Sequence, residues 1–531
     1  MARVHAGGAS LAIAAPIDQL FTATEVNEWA WESAVVAHDG GLSLAGFDRL
    51  HAYANDLPAA TAAMLEKSAQ ERRPALTELL AAAERHALPV FLDDETLSIG
   101  AGTGSQCWPL PALPVPDSIA WADLHDIPKV LVSGSNGKTT TVRLICAMLT
   151  AAGQVTGHCS TDGVFVGGTA LASGDYSGPA GARLVLRDPR AEAAVLETAR
   201  GGILRRGLAV SHAEVAIITN VSADHYGEYG IDTLEDLADT KLVLARALDA
   251  GGVLVLNADD GVLMSRAAGL PGRRALFSLD DRHPALIELR RTGGSTCGVA
   301  GGQLRLHHAG VGHDLGRVDA MPMTAGGSAV YNIANAAAGS LAAAALGISV
   351  GQIAGTLARF GSSRFDNPGR LETWNLPELT VITDYAHNPE GLGNVLTVAR
   401  AACGSGRLGL LLGQAGNRSD DAMRELARVA AGFKPDIIVL KEIASMLRGR
   451  APGEVPRILQ AELLARGTDA ARIRHLPDEV DAVRSLLAWA RPGDVLVLPV
   501  HDPQAKAAVA RGLDLAQKTN WRPGQPLPDW S

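Results

Sequence analysis

Val130-Leu-Val-Ser-Gly134-Ser-Asn-Gly-Lys138-Thr-Thr-Thr-Val-Arg-Leu-Ile-Cys-Ala-Met-Leu149 runs from an apolar strand through a glycine-bearing turn into an amphipathic helix. A triphosphate needs several donors converging on closely spaced oxygens. Glycines let backbone N–H groups approach, and a helix N-terminus adds positive potential. In such a loop, Gly134, Ser135, Asn136, Gly137, Lys138, Thr139 and Thr140 form the cradle. Lys138 reaches the β- and γ-phosphates and Thr139 offers its hydroxyl to Mg²⁺. The strict G-x-x-x-x-G-K-[ST] spacing is not met, because Val132 occupies the position of the first glycine.

The same texture continues on both sides of this segment. Ala194-Val-Leu196, Val215-Ala-Ile-Ile218 and Val253-Leu-Val-Leu256 are short apolar runs, each followed by a polar or glycine-bearing turn. Such runs suit parallel strands covered by helices on both faces. Turn residues crowd Gly361 to Gly369, and the alternation then resumes at Thr380–Thr383, Leu408–Leu412, Ile437–Leu440 and Val495–Leu498. The fold class expected is therefore α/β in three domains. Residues 1–115 form a small N-terminal α+β domain, 116–361 a central P-loop parallel-sheet ATPase domain, and 362–531 a C-terminal Rossmann-like domain. Within the first, a helical stretch is expected around 59–86 and a short strand at 88–92. The proline-rich run Trp108–Asp117 reads as a linker, and residues 520–531, with three prolines, as a tail.

Composition narrows the function. The chain has 531 residues and a formal charge of −10, so non-specific attraction to nucleic acid or anionic lipid is not expected. Five scattered cysteines with no C-x-x-C pair fit a reducing, cytoplasmic setting. No apolar run is long enough for a membrane span, and Ser10 to Pro16 is too short for a signal peptide.

Nucleotide–metal chemistry also needs ligands at the ends of neighbouring strands. Glu197 ends the strand Ala194–Leu196, and Asp224-His225 follows the strand Val215–Ile218 by a few residues. Both are expected to help hold metal beside Thr139. Lys241, in Leu237-Ala-Asp-Thr-Lys241-Leu, reads by itself as an ordinary helix lysine.

Six ordered motifs resemble the Mur ligase family: Gly134–Thr140, Leu196–Arg205, Asn220–His225, Leu256–Asp260, Tyr331–Ala336, and Pro368-Gly-Arg370-Leu with Asp384-Tyr-Ala-His387-Asn-Pro389. Within that family, the Glu197–Gly202 and Leu447-Arg-Gly-Arg450 patterns are most similar to the Mur-like half of cyanophycin synthetases. The resemblance implies ATP-dependent amide-bond formation between an amino acid and a carboxylate of a peptide-like acceptor, through an acyl phosphate. It also implies roles for individual residues. Glu197 matches a Mg²⁺ ligand, His225 the histidine near a second metal, and Lys241 a lysine that many members carry as a carbamate. Asn257 and Asn332 match nucleotide contacts. Arg370 and Asp384 match groups that close over ATP. His387 and Arg418 match groups facing the incoming amino acid, and Arg448 and Arg450 match substrate contacts. By resemblance to arginine addition the amine is basic, whereas Arg448 and Arg450 suit an acidic group.

The sequence also departs from the pattern. Tyr331 stands where many members carry histidine, and Asn417 stands where an acid is expected before Arg418. Residues 76–104 resemble the lead-in to an ATP-grasp module, and no such module follows, so the first of two ligations is expected to be missing. The partners implied beyond the substrates are a second copy of the chain or a full-length polymer synthetase. Two alternatives share the motifs. One is a non-catalytic nucleotide-binding partner of such a synthetase, and the other is a folylpolyglutamate-type ligase.

Overall fold

The computed structural model describes residues 2–5, 8–37, 56–223 and 229–530. The chain divides into two compact units, Met1–Asp126 and Ile127–Ser531.

In the first unit a helix spans Leu20–Ala37. The helical stretch expected around 59–86 is two helices, Leu57–Glu71 and Pro74–Arg85. Pro74 explains the break, since it lacks the N–H that would continue the ladder and biases Arg73 away from helical backbone. Val90–Leu92, Thr96–Ile99 and Gln106–Pro109 form an antiparallel sheet over Leu76, Leu79 and Ala83. The proline-rich run expected as a linker supplies Trp108, Leu110 and Leu113 to the margin of this core.

The second unit contains two large sheets. In the eleven-stranded sheet, seven neighbouring strands are parallel, in the order Ser295–Ala300, Arg273–Phe277, Leu248–Asn257, Ala213–Ile218, Lys129–Ser133, Ala193–Glu197, Thr156–Ser160. The strand leading into the phosphate loop sits in the middle and is buried throughout. Antiparallel hairpins extend both edges, through Gln303–His308 and Val311–Arg317 on one side and Gly163–Val166 and Thr169–Ser173 on the other. The sheet is thus mixed. Its outermost strands, Thr169–Ser173 and Val311–Arg317, are largely exposed and carry polar and glycine residues, so they lack the apolar runs that mark the centre.

Helix Lys138–Ala151 packs against the alanine-rich helix Val330–Ala345 over one face of this sheet. A Cβ on Gly339 would come within 3.2 Å of Leu144, so the small residue there sets how closely the two helices approach.

The six-stranded sheet runs Glu372–Leu376, Leu379–Asp384, Asp494–Pro499, Leu408–Leu412, Ile437–Leu440, Ile473–His475, parallel except for its first hairpin. Strand alternation divides its side chains between two cores. Leu410, Ile438 and Val497 face one core, while Leu411, Val439 and Leu496 face the other. Burial on both faces explains why these strands read as continuous apolar runs.

The tail expected at 520–531 is packed. Trp521 is 3% exposed and donates its indole N–H to the Gln525 and Pro526 carbonyls. Trp530 lies against Gly512, where a Cβ would stand 2.2 Å from the ring. Trp521→Ala therefore leaves a cavity in this domain. An expected loss of about 3 kcal/mol is checked by urea unfolding, and an unchanged midpoint would mean the segment contributes no stability.

Candidate functional site

Gly134 and Gly137 have φ values of 153° and 85°, which favour glycine, and both are crowded. A Cβ on Gly134 would lie 1.8 Å from Thr219 Oγ1, and one on Gly137 would lie 2.3 Å from Asn335 Oδ1. The loop is braced from the neighbouring strand end. Thr219 Oγ1 and Asn220 Nδ2 donate to the Asn136 carbonyl (2.6 and 3.1 Å), and Asn136 N–H donates to Asn220 Oδ1 (2.9 Å). Lys138 curls back so that its ammonium donates to the Gly134 and Ser135 carbonyls, each at 3.1 Å. The loop is thus held open as a concave turn at the start of a 14-residue helix, where unpaired N–H groups and the helix dipole favour an anion.

Glu197 ends the strand beside the loop and is 1% exposed. Its two oxygens accept from the Thr139 and Thr161 hydroxyls, at 2.7 and 3.1 Å. Among the described residues it makes no ion pair. A buried carboxylate satisfied only by hydroxyls, next to the start of a phosphate-type loop, offers hard oxygen donors to a divalent cation.

These groups open into a cleft of about 1020 Å³ between the two sheets of the second unit. The structure brings most of the expected residues to its wall. All seven loop residues, Gly134 to Thr140, line it, as do Glu197, Lys241 and Asn332. From the opposite side come Arg370, Asp384, His387, Arg418 and Arg448. Lys241 is 3% exposed, in the last turn of helix Leu234–Leu242. His225 lies outside the described residues.

Two expected contacts are not on the wall. Asn257 donates to the Thr219 carbonyl (3.1 Å) and accepts from Asp259 N–H, so its amide braces strand ends behind the loop. Arg450 pairs with Asp420 and Glu454 and also donates to the Gly416 and Arg418 carbonyls. Its fork is occupied in shaping the turn that carries Arg418, so it supports the wall from behind. Arg448, with φ 47°, is the member of the Leu-Arg-Gly-Arg run that faces the cleft.

The structure adds residues that the motifs did not reveal. Asp162 is ringed by Arg143 (2.8 Å), Lys506 (3.1 Å) and Arg370 (3.5 Å), which come from different parts of the two domains. Arg143 also donates to Asn367 Oδ1 and the Pro368 carbonyl, and Asn367 donates to Thr140 Oγ1. The segment joining the domains is thereby tied to the helix behind the phosphate loop. Directly at the loop, Asn136 donates to Glu390 (2.7 Å) and accepts from Asn388 (2.9 Å). Thr161 and Asp162 follow the strand Thr156–Ser160, so a strand-end rule could have found them, but Thr-Gly-His-Cys-Ser does not read as a strand by apolarity.

Burial alone would raise the Asp162 carboxyl, yet Arg370, Arg143 and Lys506 hold it far below the usual carboxylate range. Asp384 differs. Desolvation raises it, opposed by Arg370 and by backbone N–H donors that include Leu371 at 2.7 Å. A carboxyl whose folded pKa is depressed stabilises above its unfolded value and loses that contribution as pH falls through the folded one. Asp162→Asn is therefore expected to cost about 2 kcal/mol at neutral pH. The difference from wild type should persist down to about pH 4 and shrink only below it. Paired urea titrations at pH 7 and in acid read this, and a pH-independent difference would contradict it.

Residues 132–343 match the Mur ligase middle domain, and 369–499 match the Mur ligase, glutamate ligase domain. The cyanophycin synthetase of Nostoc sp. is 35% identical over 437 residues, covering 80% of this chain and 48% of that protein. The chain spans about half the length of the cyanophycin synthetases it matches. The UDP-N-acetylmuramoyl-L-alanyl-D-glutamate–2,6-diaminopimelate ligase of Corynebacterium efficiens is 27% identical, covering 70% of this chain and 69% of that one. Among solved structures, E. coli FolC in complex with DHPP and ADP shares the fold, with a TM-score of 0.54 at 18% identity over 73% of this chain and 89% of that one. With both family domains matched in order, the chain belongs to the Mur ligase family, whose members are ATP-dependent ligases that form C–N bonds.

Proposed function

We propose that this chain is an ATP- and Mg²⁺-dependent ligase that joins an amino acid to a carboxylate of a peptide-like acceptor. One observation carries the reading. A buried Glu197 shares the Thr139 hydroxyl at the mouth of the phosphate loop, and Arg370, His387, Arg418 and Arg448 face it across a single cleft.

The loop N–H groups and Lys138 receive the triphosphate tail, with Asn332 beside them. Thr139 and Glu197 fit a magnesium ion, because both offer hard oxygens within hydrogen-bonding distance of each other and Glu197 has no ion-pair partner among the described residues. By resemblance to the family, His225 is the candidate ligand of a second metal. The ion supplies charge neutralisation on the phosphates. Lys138 and Arg370 stabilise the charge that develops as an acceptor carboxylate oxygen bonds to the γ-phosphorus and the bond to ADP breaks. His387, Arg418 and Arg448 then hold the amino acid so that its amine attacks the acyl carbon, phosphate leaves and the amine loses a proton. Bringing the reactants together in one closed crevice supplies much of the acceleration. Lys241 carries a carbamate in this reading. Once the ammonium has given up a proton, the neutral amine adds CO₂ and loses a second proton to water, leaving an anion able to orient metal or amine. The amino acid is left open between basic and acidic types, and an ATP-consuming ligase with free thiols belongs in the cytoplasm.

An amino-acid panel with short aspartate-containing acceptors, read as phosphate release from ATP, tests this directly. At least one pairing is expected to turn over. Lys138→Ala and Glu197→Gln should each lower that rate by about a hundredfold or more while melting near wild type. Depleting CO₂ should lower the rate and bicarbonate should restore it. ATP binding with no phosphate release for any pairing would contradict the ligase reading, and indifference to CO₂ would remove the carbamate alone.

A further inference from the structure

At the C-terminal wall of the cleft, which His501 lines, lies a polar cluster that the ligase reading does not use. Lys441 is fully buried and forms an ion pair with Glu479, itself 3% exposed. The Lys441 ammonium also meets His501 Nδ1 at 2.8 Å, and His501 Nε2 meets the Ala386 carbonyl at 3.1 Å. Glu479 accepts from the His501 and Asp502 backbone N–H groups, at 3.0 and 2.9 Å. A buried ion pair is often no more stabilising than apolar residues of the same volume. Its place beside a reaction cleft points instead to what it orients.

The partners fix the imidazole. A carbonyl oxygen only accepts, so Nε2 carries the hydrogen. An ammonium only donates, so Nδ1 must be the bare nitrogen. Burial, followed by the nearby Lys441 charge, keeps His501 well below its usual pKa and so neutral. The ring has one tautomer and one orientation, and its edge meets Tyr385 at 5.2 Å and 67°. Tyr385 in turn carries the Arg370 guanidinium over its ring face at 4.7 Å. From there Arg370 reaches Thr139 Oγ1 and Asp162, each at 3.5 Å.

We propose that His501 is a positioning residue: its imidazole, locked between the Lys441 ammonium and the Ala386 carbonyl, braces Tyr385 so that Arg370 stays over the phosphate loop. The sequence Val500-His501-Asp502 follows the last strand of the sheet, so the brace is delivered at a strand end like the site groups themselves. Its consequence for turnover rests on the reading of the cleft as the ATP site. Its consequence for Arg370 does not.

The test accordingly has two arms. In nucleotide-free protein, the Arg370 Nε–H resonance is compared between wild type, His501→Gln and Tyr385→Leu. Both variants should shift and broaden it, whereas an unchanged resonance in folded His501→Gln would overturn the proposal. In the second arm, binding of a fluorescent ATP analogue with Mg²⁺ is titrated. Each single variant should weaken it about tenfold, the scale of one cation–π contact and its alignment. The double variant should lose no more than either single one, and additive losses would overturn the proposal. Should His501→Gln fail to fold because Lys441 is left unsatisfied, Tyr385→Leu and the paired Lys441→Met/His501→Leu carry the same comparison. If wild type binds no nucleotide, the ATP reading fails, and the resonance arm still decides the brace.

Discussion

The chemistry of the cleft depends on one contact, the Thr139 hydroxyl on the Glu197 carboxylate. Glu197 is held at the end of a strand buried on both faces, and Thr139 is held in the first turn of the helix that the glycine turn starts. Because the carboxylate has only hydroxyl partners among the described residues, the fold places negative charge beside an anion-binding loop. That arrangement is costly unless a cation joins the two. The rest of the cleft supplies groups suited to a reaction around such a cation.

Closure is built into side chains that span the two domains. Asp162 gathers Arg143, Lys506 and Arg370, and Asn136 joins the loop to Asn388 and Glu390. The C-terminal domain thus meets the phosphate loop through specific polar contacts. Such contacts can be exchanged as phosphates enter and leave, which a continuous apolar seam would resist.

Legibility in the sequence followed burial. Central strands such as Val215–Ile218 and Leu408–Leu412 stood out because helices cover both of their faces. Thr156–Ser160 and the outermost strands Thr169–Ser173 and Val311–Arg317 did not, since their glycine and polar residues give no sustained apolar run. The tail misled because prolines exclude helix and central strand but do not exclude packing, and Trp521 and Trp530 supplied the burial. In the site, the loop was readable from its glycine-lysine-threonine pattern between strand and helix, and Glu197 from its strand-end position. Lys241, Arg370 and Arg418 needed family resemblance, because an isolated lysine or arginine has no local signature. Arg450 entered with Arg448 through the Leu-Arg-Gly-Arg resemblance, and its pairing with Asp420 and Glu454 could not be read from that stretch. The ring around Asp162 and the Lys441–Glu479–His501 cluster join residues tens to hundreds of positions apart, so no spacing rule reaches them.

The central claim is that Thr139 and Glu197 grip a divalent ion beside a triphosphate tail. A crystal structure with a non-hydrolysable ATP analogue and Mn²⁺ tests it most directly through the anomalous signal of the metal. The account predicts one peak within coordination distance of Thr139 Oγ1, with Glu197 bound to it directly or through water and the β- and γ-phosphates over Gly137 and Lys138. A nucleotide seated elsewhere, or a metal peak remote from Glu197, would contradict it.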